Sequence, residues 1–182
     1  MSKIAVVTGG TSGIGRETAL YLTQNGCTVY ELSRRAEGVE GLRHISADVT
    51  DEESVRRAVE QILQEAGRID ILVNNAGFGI SGAVEFTDTE EAKRQFDVNF
   101  FGMVRMNRAV IAVMRKQGGG RIVNLSSVAA PVPLPLPTYY AASQAAIKFY
   151  TMALSHEQLP LRRHRVRRHA RGYPHRLHRR PA

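Results

Sequence analysis

Thr8-Gly9-Gly10-Thr11-Ser12-Gly13-Ile14-Gly15 is the stretch on which the fold turns. It follows Lys3-Ile4-Ala5-Val6-Val7, a short apolar, β-branched run of the kind that forms a fully buried strand. Behind it, Arg16-Glu17-Thr18-Ala19-Leu20-Tyr21-Leu22 carries its apolar residues at helical spacing. A strand that turns through glycines into a helix aims backbone N–H groups and the positive end of the helix dipole at one point, which suits a phosphate. Glycine is needed there because a side chain would hold the backbone away from a pyrophosphate. A tight structural turn is the plainer alternative, and the rest of the chain separates the two.

The 182 residues, with ordinary hydrophobic and charged fractions, fit one domain with a sizeable core. A lone Cys27 excludes an internal disulfide; placed before the apolar run Thr28-Val29-Tyr30, it reads as a structural thiol. The first apolar run meets glycines too soon to be the h-region of a signal peptide, and no apolar stretch is long enough to span a bilayer. A cytoplasmic location is therefore expected. A net charge of +8 raises nucleic acid as a partner. Its distribution argues otherwise: Pro160–Ala182 holds nine arginines and no acidic residue, which leaves Met1–Leu159 at −1.

Along the chain, Thr28–Leu32 reads as a second strand ending in Ser33-Arg34-Arg35. In dinucleotide folds the residue closing this strand faces the adenosine ribose, where an acid accepts from a free 2′-hydroxyl and arginines receive a 2′-phosphate. The pattern predicts NADP(H) in preference to NAD(H), against the alternative that both arginines merely solvate a loop. Leu42–Ala47 is a third strand leading to Asp48-Val49. There Asp48 reads as a turn residue, with Thr50 as cap of the next helix and Glu53 closing a capping box. Val55, Ala58, Val59, Ile62 and Leu63 mark one apolar face of that helix, which closes at Gly67.

Ile69–Val73, a fourth strand, runs into Asn74-Asn75-Ala76-Gly77, a small-residue turn at the strand end where open α/β sheets bind ligands. One long helix is expected over Glu90–Gln117, with Asn99 among Phe96, Val98, Phe100, Phe101 and Val104. A fifth strand, Arg121–Leu125, precedes Ser126-Ser127, a proline-rich loop over 131–137 and a last helix at Tyr140–Glu157. The alternation of strands and helices predicts an α/β fold with a doubly wound parallel sheet, Rossmann-like, in strand order 3-2-1-4-5.

The T-G-x-x-x-G-x-G loop, the N-N-A-G turn, Asp48, Asn99 and a serine thirteen residues before a tyrosine together resemble the short-chain dehydrogenase/reductase family over about Lys3–Leu159. The resemblance implies that Gly9, Thr11, Ser12, Gly13, Ile14 and Gly15 cradle the dinucleotide and that Ser33, Arg34 and Arg35 face its ribose. It further implies that Asp48 accepts from the adenine amino group, that Val49 packs on the ring, and that Asn75, Ala76, Gly77 and Tyr140 complete the cofactor site. Its catalytic set is Tyr140 as acid/base, Ser127 as carbonyl-polarising donor and Asn99 at a helix kink holding a relay water. For Asn99 an ordinary amide satisfied by neighbouring backbone stands as the alternative. The implied reaction interconverts a small-molecule carbonyl and an alcohol by hydride transfer with NADP(H). No metal, membrane or specific nucleic-acid partner is implied, and the family pattern adds homo-oligomers formed through the two long helices.

Two positions depart from that family. Four residues after Tyr140, where the family carries lysine, stands Gln144. A free tyrosine titrates near pH 10, and a cation one helical turn away on the same face favours its ionised form. Gln144 supplies no charge, and Lys148 lies a further turn along. The second departure follows Leu159, where the family continues into a sixth strand and this chain turns to an Arg/His-rich run without apolar period. The chain thus divides into a dinucleotide-binding domain, 1–159, and a basic tail, 160–182. The tail reads as out-of-frame translation, with a nucleic-acid- or membrane-binding segment as the alternative. Two functional expectations follow: an oxidoreductase, working or impaired, and a catalytically inactive fragment that binds dinucleotide without turnover.

Overall fold

The computed structural model describes residues 2–132 and 134–157; the basic run 160–182, and with it the proposed division of the chain, lies outside them. Five parallel strands form one sheet in the order β3-β2-β1-β4-β5, as the alternating pattern predicts. They are β1 (Ile4–Thr8), β2 (Thr28–Ser33), β3 (Arg43–Ser46), β4 (Ile71–Asn74) and β5 (Arg121–Asn124). The helices are α1 (Gly13–Gln24), α2 (Glu52–Ala66), α3 (Thr89–Phe96), α4 (Gly102–Lys116) and α5 (Thr138–Glu157).

The apolar run of β1 is buried at every position because both faces of the sheet are covered. Its alternate residues feed two cores. Ile4 and Val6 join Tyr30, Leu32, Ile62 and Val110 in the larger one, against α2 and α4. Ala5 and Val7 pack with Val29, Val73 and Ala19 of α1 in the smaller one, on whose edge the half-buried Cys27 lies.

Three expectations are corrected. The helix drawn over Glu90–Gln117 is α3 and α4 joined by a wider π turn, Asp97–Phe101. No proline or glycine marks the insertion, so the apolar period passes through it unbroken. Helix α2 is capped by Asp51, whose side chain accepts from the Glu53 N–H, and not by Thr50. Thr50 is turned back, its N–H and hydroxyl both donating to Asp48 Oδ1 at 2.9 and 2.8 Å. Strand limits shift by one or two residues: β2 runs on to Ser33, β3 is confined to Arg43–Ser46, and β4 begins at Ile71 and β5 ends at Asn124. Helix α5 starts at Thr138. The apolar face of α2 and its close at Gly67, in the left-handed region at φ 72°, match expectation.

Candidate active site

The glycine turn sits where β1 gives way to α1. Gly9 and Gly13 take positive φ, 66° and 52°, which only glycine adopts without strain. Gly15 is pressed against the turn, so that an added Cβ would collide with the Gly9 carbonyl and the Asn75 amide. Asn75 explains that closeness: its Nδ2 donates to the carbonyls of Thr8 and Gly9 at 3.0 and 3.2 Å. In return, Thr8 Oγ1 accepts from the N–H groups of Asn75 and Ala76, each at 3.0 Å. The two loops at the ends of β1 and β4 are thus one hydrogen-bonded unit.

Helix α1 differs from its neighbours in how it begins. α2 and α3 open with a capping aspartate, Asp51 and Asp88, and two glutamates in the first turn. α1 has Ser12 at its cap with no side-chain bond and no acidic residue in its first turn. Its leading N–H groups are left for an external anion.

Beside this turn lies a cavity of about 670 Å³. Gly9, Thr11 and Ser12 form one wall, Ser33, Arg34 and Arg35 the end, and Asp48, Val49, Ala76 and Gly77 the other side. Arg94 of α3 adds a third arginine, its guanidinium 5.5 Å from the centre of the Phe78 ring. Ser33 Oγ is buried without a partner among the described residues. Burial would raise the Asp48 carboxyl, but the Thr50 N–H and hydroxyl, with the charges of Arg34 and Arg105, outweigh it and hold the group below the usual carboxylate range. Asp48 is therefore an ionised turn residue that also lines the cavity. A dinucleotide fits these residues: a backbone cradle that a Cβ would fill, a helix start without its own carboxylate, and an unpaired hydroxyl beside two arginines.

A second cavity, about 350 Å³, continues past Val49, Ala76 and Gly77 to Tyr140. Ile14, Asn75, Asn99, Ser126 and Gln144 share its wall. Asn99, buried in the π turn, has its amide fully engaged. Oδ1 accepts from the Phe78 N–H at 2.9 Å, while Nδ2 donates to the Phe78 carbonyl at 2.8 Å and to Ser143 Oγ at 3.2 Å. The Ser143 hydroxyl donates in turn to the Tyr140 carbonyl at 2.8 Å. This chain fixes the loop after β4 and the first turn of α5 against one another.

The two adjacent serines do different things. Ser126 lines the cavity, and its hydroxyl donates to the Gln144 carbonyl at 2.9 Å. Ser127 stands outside that wall, and its Oγ accepts from the Ala129 N–H at 3.1 Å. The Ser127 hydrogen remains free to donate. Gln144 reaches the wall with only 7% of its surface exposed. The sequence reading singled out neither Thr8, Phe78, Arg94, Ser126 nor Ser143. Thr8 was within reach, since it opens the quoted loop; the others bond or stack through folded contacts with no local signature.

The model of the short chain dehydrogenase family matches residues 3–170. A 3-ketodihydrosphingosine reductase of Bacteroides thetaiotaomicron is 44% identical over 159 residues, covering 87% of this chain and 59% of that protein. A 3-oxoacyl-acyl-carrier-protein reductase of Thermotoga maritima is 36% identical over 156 residues, covering 80% of this chain and 63% of its own. Among solved structures, a short-chain dehydrogenase from Streptomyces avermitilis superposes with a TM-score of 0.86 at 34% identity, over 91% of this chain and 64% of that one. The aldohexose dehydrogenase of Thermoplasma acidophilum gives 0.84 at 34%, over 88% and 63%. The chain therefore spans about three fifths of the length of these relatives. With the family model matched over most of its length and the five-stranded parallel sheet in place, this chain belongs to the short-chain dehydrogenase/reductase family.

Proposed function

We propose that the chain is the dinucleotide-binding body of an NADP(H)-dependent oxidoreductase that interconverts a ketone and an alcohol, with chemistry impaired by Gln144. The observation that carries the reading is the pair of adjoining cavities, one ending in Ser33, Arg34 and Arg35 and the other in Tyr140. When bound, the nicotinamide supplies or accepts the hydride. Thr11, Ser12, Gly13 and Gly15 would hold the pyrophosphate through backbone N–H groups, Gly9, whose own N–H donates to the Leu32 carbonyl, would shape the turn, and Ile14 would stand beside it. Arg34 and Arg35 receive the 2′-phosphate, with Ser33 as a further donor. Asp48 and Val49 take the adenine, and Asn75, Ala76 and Gly77 form the shared floor.

Tyr140 gives its phenolic proton to the carbonyl oxygen of the substrate; Ser127, outside the wall that Tyr140 lines but keeping its hydroxyl hydrogen, is the polarising donor only where that oxygen reaches beyond the wall. Asn99 acts as a positioning residue through Ser143 and the Tyr140 carbonyl. The missing charge is the weak point. Each pK unit by which a cation would have favoured the tyrosinate corresponds to about 1.4 kcal/mol. The two relatives named as reductases carry "keto" and "oxo" in their substrates' names, which favours a ketone here. Gln144 also supports a second reading, a fragment that binds NADP(H) without turnover.

The test is a fluorescence titration with NADPH followed by a panel of ketones, long-chain keto compounds included. The reading expects binding, then slow oxidation that Tyr140→Phe abolishes while NADPH still binds, weaker by about the worth of one hydrogen bond. Binding with no oxidation by any ketone favours the second reading. Oxidation undiminished in Tyr140→Phe contradicts the assigned chemistry.

A further inference from the structure

Glu31 is a carboxylate in the middle of a buried parallel strand, a place that usually holds an apolar residue. Its side chain has no exposed surface. Oε1 meets Nδ1 of His44, its register partner on β3, and Oε2 has no partner among the described residues. The imidazole alone compensates this carboxyl at contact distance. Burial pushes the Glu31 carboxyl up, against the opposing influence of His44 and the Arg35 charge.

The other imidazole nitrogen, His44 Nε2, lies 3.0 Å from the backbone carbonyl of Arg35. A carbonyl only accepts, so Nε2 carries a hydrogen and donates. Among the described residues this is the one hydrogen bond that ties segment 34–38 to the rest of the molecule. The pair is packed from two sides. A Cβ on Gly10 would stand 2.6 Å from Glu31 Cβ, so the glycine turn rests on the glutamate. A Cβ on Gly38 would collide with the His44 side chain, so the arginine loop closes over the histidine.

We propose that Glu31 and His44 form a positioning clip that presets Arg34 and Arg35 for a 2′-phosphate, and so sets discrimination between phosphorylated and free 2′-hydroxyl dinucleotides. The inference rests on the NADP(H) reading above. Both arginines are exposed, on a loop without secondary structure. A loop ordered only on binding subtracts that ordering from affinity, whereas a held loop does not. Histidine alone leaves its tautomer open and can turn a lone pair toward Arg35. One proton held between Glu31 Oε1 and Nδ1, on the imidazole facing a carboxylate or on the carboxyl facing a lone pair, leaves the Nε2 hydrogen directed at the Arg35 carbonyl.

Adenosine 2′,5′-bisphosphate and 5′-AMP, titrated calorimetrically, isolate the 2′-phosphate. The variants are His44→Phe and the double change Glu31→Leu/His44→Phe, which removes the clip without stranding a buried carboxyl. The wild type should prefer the bisphosphate, and both variants should lose about tenfold of that preference, near the worth of one hydrogen bond, with 5′-AMP affinity unchanged. A preference that survives in both variants overturns the clip and leaves the NADP(H) reading intact. A wild type with no preference overturns the NADP(H) reading and the clip's role with it. Equal losses for both nucleotides in both variants assign the pair to fold maintenance and overturn the proposal.

Discussion

At the adenosine end of the cleft, an uncapped helix start, a glycine turn bonded to Asn75 and two arginines at the close of β2 surround a cavity of about 670 Å³. At the Tyr140 end, a cavity of about 350 Å³ is lined by a neutral amide, Gln144, where the proposed chemistry calls for a cation. On the proposed reading, the first region would meet a dinucleotide with backbone groups and loop ends. The second depends on one charge one helical turn from one tyrosine, so a single substitution separates binding from turnover. Recognition and chemistry in this cleft are therefore separable, and substitutions at each end should reveal it.

The largest effect is expected from Gly15→Ala. Its Cβ would meet the Gly9 carbonyl and the Asn75 amide, so the backbone of the turn must move. NADPH binding should fall beyond detection, with a stability loss of about 1–3 kcal/mol from overpacking, read by titration and denaturant melts. Arg34→Ala/Arg35→Ala should be milder and selective. NADPH affinity should drop about a hundredfold, from the loss of charge-assisted bonds, and NADH affinity should hold. Equal loss for both cofactors would break the assignment of that loop to the 2′-phosphate.

The smallest effect is expected at Asp48, whose carboxyl is held below its ordinary value. A group with a lower pKa in the folded state stabilises fully above its unfolded value, about 4. That contribution fades as pH falls through the lower folded value. Asp48→Asn should cost about 1 kcal/mol near neutral pH and flatten this part of the acid sensitivity, measured by melts across the acid range. A variant equally stable at neutral pH would leave the Thr50 bonds without energetic weight.

The fold and the first loop were legible because their determinants are local. Buried strands read as apolar runs, Gly9 and Gly13 need left-handed backbone, and Gly67 closes its helix by the same rule. The parallel sheet followed from the alternation of elements, and its strand order from the likeness of the two loops to dinucleotide-binding folds. Long-range bonds left no such trace. Nothing around Phe78 announces that its backbone is held by Asn99 and Gln95, nor does the sequence around Glu31 announce His44. The apolar period alone does not show the π turn, which inserts into a helix without breaking it; the kink at Asn99 was legible only through the family resemblance. Thr50 failed as a cap because Asp48, two residues earlier, claims its hydroxyl.

The most direct measurement of the central claim is a comparison of wild type with Gln144→Lys. NADPH affinity and the single-turnover rate with one ketone would be taken from the same preparations at neutral pH. Similar affinity is expected in both, with a rate at least about tenfold higher in the lysine variant, the return for one pK unit of tyrosine activation. Equal rates in the two proteins, with cofactor bound in both, would contradict it.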